Sequence, residues 1–348
     1  MSTKQEINHA ALLEEKGARL KTVTRAIPSP GPNEVLVRNY AIAANPVDWK
    51  IQDYGFAIKS YPTVIGSDGC GIITAVGSDV TKFKVGDRVT GFAAVIYNDN
   101  ADHGAWQTYT LLKEIATMKI PNFMSFEEGS TFPMAYATAA VGLFANLGIE
   151  RPKSPISSKD SGLLVWGAAS SVGTAVVQLA RNAGFKIFAT ASKHHHKYVE
   201  SLGALAVFDY RDPDVVSKIV ASAKSAGTPI KYGFDAITEG ETSKLSADIL
   251  MASGGKGGGL VLVLEYASQS PKSDGVEYLQ TSALRTGLDQ AELGEWLFNE
   301  YLPKQLEKKT IVTAPKIEVV PGGISAAQKA LDELKRGVSG EKLVVKLD

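Results

Sequence analysis

Gly167 and Gly173, in LLVWGAASSVGTAVVQLARNAG (163–184), frame a turn whose chemistry could bind a phosphate. An apolar run precedes Gly167, and a segment of helical period opens near Ser171 with Gly173 in its first turn. Such a turn aims free helix N-terminal N–H groups and the positive end of the helix dipole at one point, which suits a pyrophosphate. The pattern departs from G-x-G-x-x-G, because Ala169 or Ser170 stands where the middle glycine would be. Taken alone it is a weak signal, since small residues also occur wherever a helix lies close on a strand. Its surroundings strengthen it: a second apolar run, KIFATA (186–191), follows at the right distance. Beyond it, where an NAD-binding fold carries an Asp or Glu for the adenosine ribose, stand Ser192 and Lys193. A hydroxyl and a cation in place of an acid favour a 2′-phosphate, so the expected dinucleotide is NADPH rather than NADH.

His194, His195 and His196 follow directly and invite a metal reading. Consecutive residues at a helix start point in different directions and are poorly placed to converge on one ion. They are read as solvent-facing or cofactor-edge histidines. Tyr210 ends the run AVFDY, at the carboxyl end of a neighbouring strand where ligands of open α/β sheets collect, or it is an ordinary strand-end aromatic. Cys70 is the only cysteine, which excludes an internal disulfide and any multi-cysteine metal site. It reads as a small buried residue.

The elements that must position these groups fall into two textures. Up to about residue 120 the chain reads as short β-rich runs broken by Gly, Pro and Asn, including EVLVRNYAIAAN, CGIITAV, DRVTGFAAVI and WQTYTLL. From about 162, apolar runs (GLLVW, KIFATA, AVFDY, KYGFDAI, GLVLVLEY) alternate with helical segments such as DPDVVSKIVASAKSAG. That alternation predicts βαβ units and a parallel sheet covered on both faces. DQAELGEWLFNEYLPKQLEKK and ISAAQKALDELKRG read as helices, and the tail EKLVVKL as a strand that periodicity cannot assign to either domain. With 348 residues, two domains are expected. Lys plus Arg and Asp plus Glu both total 37, so no single-sign field exists to hold nucleic acid or an anionic membrane. The first residues carry charges where a signal peptide needs an apolar run, and no apolar stretch is long enough to span a bilayer, so a soluble, cytoplasmic protein is expected.

Taken together, NPVDWK (45–50), IGSDGCGIITAVGSDVTKFKVGDRV (65–89), the glycine turn, SLGALAVFDYRD (201–212) and GEKLVVKL (340–347) resemble the medium-chain dehydrogenase/reductase superfamily in the family's order. The resemblance implies an α/β protein: a GroES-like β-rich catalytic domain (1–127 and 306–348) around a Rossmann doubly wound parallel-sheet domain (128–305), with the active site in the cleft. Zinc-dependent members carry a Cys in the segment matching NPVDWK and a His in the segment matching IGSDG. This chain has Asn45 to Asp48 in the first and Ser67 and Asp68 in the second. Catalytic zinc needs about three protein ligands, which Asp48 and Asp68 alone do not supply. The scaffold is thus expected to work without a metal, in the zinc-independent, quinone oxidoreductase-like branch, and it is most similar to the trans-acting enoyl reductases that partner fungal polyketide synthases.

By that resemblance, Val47, Asp48, Trp49 and Lys50 line the nicotinamide side, and Ala169, Ser170, Ser171 and Val172 hold the phosphates. Ser192, Lys193, His194, His195 and Tyr210 hold the adenosine end. Leu264 and Glu265 end a strand beside the nicotinamide ribose, and Val344 and Val345 touch the cofactor through backbone while also being strand core. Tyr54 follows the first motif much as a suspected proton donor does in mitochondrial-type enoyl reductases; an exposed loop tyrosine, with protonation from solvent, is the alternative. Met134, Tyr136 and Thr138, in TFPMAYATAAVGLF (131–144), are substrate candidates, although apolar residues at helical spacing are more often core. The loop YNDNADHG (97–104) reads as polar, with His103 at the surface.

Without a metal to polarise a carbonyl, the expected reaction is hydride addition to a conjugated C=C bond, whose developing charge a few hydrogen bonds can stabilise. The expected substrate is a small-molecule or carrier-bound enoyl compound, with a polyketide synthase as the implied partner. Reduction of quinones or alkenals is the alternative, and a non-catalytic NADPH-binding partner protein is the alternative of another class. The resemblance leaves monomer and homodimer both open.

Overall fold

The computed structural model describes residues 6–153, 156, 158–255, 257–264 and 272–347. By packing, the chain divides into two compact units, one of residues 1–134 with 284–348 and one of 135–283.

The first unit is built on a seven-stranded sheet whose central strand is Glu34–Ala43. This run, VLVRNYAIA, is apolar almost throughout because both its faces are covered. It pairs antiparallel with Asp68–Val76 and Tyr109–Lys113, and near its end with the tail strand Glu341–Lys346, which runs parallel to Lys316–Val320. The tail therefore belongs to this unit, placed by backbone pairing that its periodicity could not reveal. Strands Lys21–Arg25, Asn8–Leu13 and Thr63–Val64 form a smaller sheet.

Helix Pro46–Tyr54 leaves the end of the central strand. Asn45 at its cap is extended (φ −126°, ψ 150°), Pro46 supplies a helical φ, and the Asp48 carboxylate accepts the Asn45 N–H at 3.0 Å. Gly55, at φ +67°, closes the helix with its N–H on the Ile51 carbonyl. The helix is moored to Ala327–Arg336: Gln52 donates to Gln328 at 2.7 Å, and Asp53 pairs with Lys335 at 2.6 Å.

Segment 284–305, assigned from sequence to the inserted domain, packs with the first unit. Leu293, Leu297, Phe298, Leu302 and Leu306 are buried, and Asn299 donates to the carbonyls of Glu114 and Thr117. Helical periodicity shows that such a segment has an apolar face, and nothing in the period says which domain covers it.

The second unit is a six-stranded, wholly parallel sheet in the spatial order Ala206–Phe208, Lys186–Thr190, Gly162–Trp166, Ile230–Asp235, Gly258–Leu262, Val276–Gln280. In chain order this is 3-2-1-4-5-6, the doubly wound dinucleotide-binding arrangement. Its helices Ser171–Asn182, Val215–Ser225 and Thr242–Ala252 follow the sequence pattern.

Candidate functional site

In the second unit the turn from strand Gly162–Trp166 into helix Ser171–Asn182 is shaped by two glycines. Gly167 sits at φ +75°, and a Cβ on Gly173 would meet the Gly167 carbonyl oxygen at 2.3 Å. A side chain at 173 would thus fill the space in which helix and strand approach. Ser170 caps the helix, its hydroxyl accepting the Gly173 N–H at 3.0 Å. The N–H groups of Ser171 and Val172 precede any intrahelical acceptor, so the half-buried Ser170–Val172 stretch presents donors. Ala169 is buried beneath them. A pyrophosphate fits this turn.

At the end of the adjacent strand, Ser192 is buried and its hydroxyl lies 3.4 Å from that of Tyr210, so two residues 18 positions apart come together. Lys193 and His194 are exposed and His195 half-buried. The neighbouring carboxylate, Asp209, is engaged by Arg211 at 3.0 Å. The rings of His194 and His195 lie 3.9 Å apart rather than pointing away from one another, while His196 turns back to the Ala191 carbonyl at 3.1 Å. Leu264 is half-buried just past strand Gly258–Leu262; Glu265 lies outside the described residues. The Tyr136 hydroxyl accepts from Gln178 at 3.0 Å in the interior, and the Thr138 carbonyl accepts from Thr281 at 2.8 Å.

The first unit holds a wholly buried polar cluster. Lys342 Nζ donates to Asn45 Oδ1 at 2.6 Å and to Asp68 Oδ2 at 3.2 Å, while Asn45 Nδ2 donates to the same Asp68 oxygen at 2.8 Å. Asp68 Oδ1 accepts the Met134 N–H at 2.7 Å. Trp106 Nε1 reaches Asp48 Oδ2 at 3.3 Å, through space left by Gly66, where a Cβ would meet the indole at 2.4 Å. Asp48 Oδ1 is buried with no hydrogen-bond partner among the described residues. Burial pushes the Asp48 carboxyl up to about 7, against the lowering effect of the Asn45 N–H, and the nearby Asp68 charge adds to the rise. Burial also raises Asp68, opposed first by Lys342.

The donors of this cluster do not fit zinc. The position from which Asn45 and Asp68 would bind a cation is taken by the Lys342 ammonium, and among the described residues no group of three or more His, Cys, Asp or Glu is arranged to hold a metal ion. Lys342 and Trp106 were not legible as site residues. The Asn-Pro-x-Asp pattern at 45–48 is a helix-start signal, but its buried partners come from a loop and strands elsewhere in the chain.

On the same helix Val47, Trp49 and Lys50 are half-buried, with the Lys50 ammonium 5.4 Å from the Trp49 ring centroid. Tyr54 is 65% exposed, its ring 6.3 Å from that of Trp49. Val344 and Val345 are fully buried, with their strand laddered on both sides. His103, expected at the surface, is 2% exposed, because its ring packs 2.8 Å from the Glu34 carboxylate beneath the loop; burial lowers its pKa against the pull of Glu34.

Comparison with known proteins decides the family. The alcohol dehydrogenase GroES-like domain model matches residues 31–122, and the zinc-binding dehydrogenase model matches 171–263. The chain is 38% identical to the trans-enoyl reductase tndF of Aspergillus flavipes, over 98% of this chain and 99% of that one. It belongs to the medium-chain dehydrogenase/reductase superfamily. The superfamily's GroES-like and Rossmann-type parts are thus both present, and the chain is an oxidoreductase of this superfamily, whose nucleotide-binding domain implies a nicotinamide dinucleotide. The trans-enoyl reductase tazE of Aspergillus terreus is 45% identical over 63% of this chain and 73% of its own. Among superfamily structures, the CurK enoyl reductase aligns with a TM-score of 0.75 at 24% identity, covering 98% of this chain and 99% of that one. A quinone oxidoreductase of Pseudomonas syringae aligns with a TM-score of 0.75 at 22% identity, covering 97% and 99%. Among the described residues, no helix is long and apolar enough to cross a membrane.

Proposed function

We propose that this chain is an NADPH-dependent, zinc-independent reductase of an activated carbon–carbon double bond, acting on an enoyl thioester presented by a partner such as a polyketide synthase. The observation that carries the reading is the Lys342 ammonium held by Asn45 and Asp68, where zinc-dependent relatives carry metal ligands. With those donors committed, these residues provide no Lewis acid to polarise an alcohol or simple carbonyl, and the acceptor must need less activation. A conjugated enoyl group meets that condition, and the curated relatives named as trans-enoyl reductases support it.

Bound NADPH supplies the hydride. We assign its pyrophosphate to the turn Ala169–Val172, whose free donors are the Ser171 and Val172 N–H groups, and its 2′-phosphate to Ser192, Lys193 and Tyr210, beside His194 and His195. Asp209, the carboxylate nearby that would suit a bare ribose, is paired with Arg211, which supports NADPH over NADH. The nicotinamide is assigned to Val47, Trp49 and Lys50 and the ribose next to it to Leu264, with Met134 and Thr138 toward the substrate. Tyr54 is the proposed proton donor, and its exposure leaves solvent as the competing source.

The test is NADPH oxidation by purified, chelator-treated protein with a short enoyl thioester, a quinone and a simple aldehyde. Preference for the thioester supports the proposal. Preference for the quinone reassigns the chain to quinone or alkenal reduction, and silence with all three despite tight NADPH binding makes it a non-catalytic binder.

A further inference from the structure

The buried cluster of the first unit holds two carboxyl groups, Asp48 and Asp68, and a single ammonium, Lys342, which contacts Asp68 and is only 3% exposed. Buried charge is tolerated when it is paired and hydrogen-bonded. Lys342, Asn45 and Asp68 satisfy this as a closed triangle of contacts at 2.6, 2.8 and 3.2 Å. The ammonium is delivered by a strand that cannot drift. Lys342 pairs in register with Ile317 on one side, and on the other the Leu343 carbonyl accepts the Ala44 N–H at 2.9 Å, one residue from Asn45. Each partner of the ammonium in turn fixes an element: Asn45 caps helix Pro46–Tyr54, and Asp68 accepts the N–H of Met134 in the first turn of helix Pro133–Ala140.

We propose that Lys342 is the internal cation of this cluster, a tethered ammonium that neutralises the buried Asp68 and positions helix Pro46–Tyr54 through Asn45. It is a positioning residue: it holds the cap of the helix that carries Val47, Trp49 and Lys50. Its effect on turnover rests on the reductase reading above, whereas its effect on the cluster does not.

The experiment is a stability cycle on the full chain. Lys342→Met keeps the volume and removes the charge, which leaves Asp68 buried without its ion pair; the thermal midpoint should fall on the order of 10 °C. Lys342→Arg should recover most of that loss. Adding Asp68→Asn to Lys342→Met should also recover about half or more of it, because the orphaned charge is gone. If Lys342→Met does not fold, the arginine variant and the double variant remain the measurement, and both are expected to fold. A Lys342→Met protein within about 2 °C of the wild type, or a double variant whose losses simply add, overturns the proposal.

For the positioning role, Lys342→Met should lower kcat about tenfold or more while the NADPH Kd changes by less than about threefold, with Lys342→Arg restoring kcat. Equal loss in kcat and Kd, or no recovery by arginine, overturns that role. Wild-type protein that reduces no acceptor would refute the reductase reading and leave the stability cycle intact as a test of the cation.

Discussion

The glycine turn of the second unit and the polar cluster of the first are both sites at which this chain presents hydrogen-bonding groups, and they are made in opposite ways. The turn is local: Gly167, Ser170 and Gly173 lie within one strand-to-helix connection, and its donors are backbone groups that any helix start leaves free. The cluster is non-local, since Asn45, Asp68, Trp106 and Lys342 come from separate strands and loops, with 297 positions between Asn45 and Lys342. A local site can be read from spacing. A non-local one exists only when the sheet has brought its members together, and then each buried group depends on the others.

The largest expected effect would break the comparison on the side of the cluster. Because burial pushes Asp48 up to about 7 from the ordinary 3.8, the folded chain keeps a proton that the unfolded chain releases. The stability this group contributes is therefore fully present below about pH 4 and is lost as the pH rises toward 7, by at most on the order of 4 kcal/mol. His103, lowered by burial, acts in the opposite sense, so the comparison must be made against a variant. Urea unfolding at pH 5 and pH 8 should show wild-type stability falling relative to Asp48→Asn over that interval. A constant difference between the two proteins would mean that Asp48 does not titrate there.

On the side of the turn, Gly173→Val places atoms against the Gly167 carbonyl, a clash of about 1–3 kcal/mol. Dinucleotide affinity, followed by NADPH fluorescence, should fall by up to about a hundredfold. Unchanged affinity would show that the turn does not hold the phosphates.

A smaller effect sharpens the choice of dinucleotide. Lys193→Glu should weaken NADPH about tenfold more than NADH, because only the former has a phosphate for the cation to meet. Equal weakening would remove the argument for a 2′-phosphate. The smallest expected change concerns Tyr54, whose exposure makes water a ready competitor. Tyr54→Phe should lower kcat by no more than about tenfold, with a solvent isotope effect on the remaining rate; an unchanged kcat assigns the proton to solvent.

Much of the fold was legible, and for a stated reason. Strand Gly162–Trp166, helix Ser171–Asn182 and the parallel sheet around them follow from periodicity, because a sheet buried on both faces needs continuous apolar runs and a covering helix needs a stripe. His103 was misread because a polar loop composition says nothing of what lies beneath the loop, and here the Glu34 carboxylate receives the ring. The close, tilted approach of the His194 and His195 rings could not be read from their adjacency, because it depends on the turn geometry.

By itself, the sequence determined the alternation of elements and the glycine turn, because these are properties of types and spacings along one stretch of chain. Only the tertiary structure decided that the tail strand lies beside Glu34–Ala43, that segment 284–305 packs with the first unit, and that the Lys342 ammonium is held between Asn45 and Asp68. Backbone pairing and the neutralisation of buried charge are satisfied between distant segments, and no local pattern encodes which lysine will meet which carboxylate.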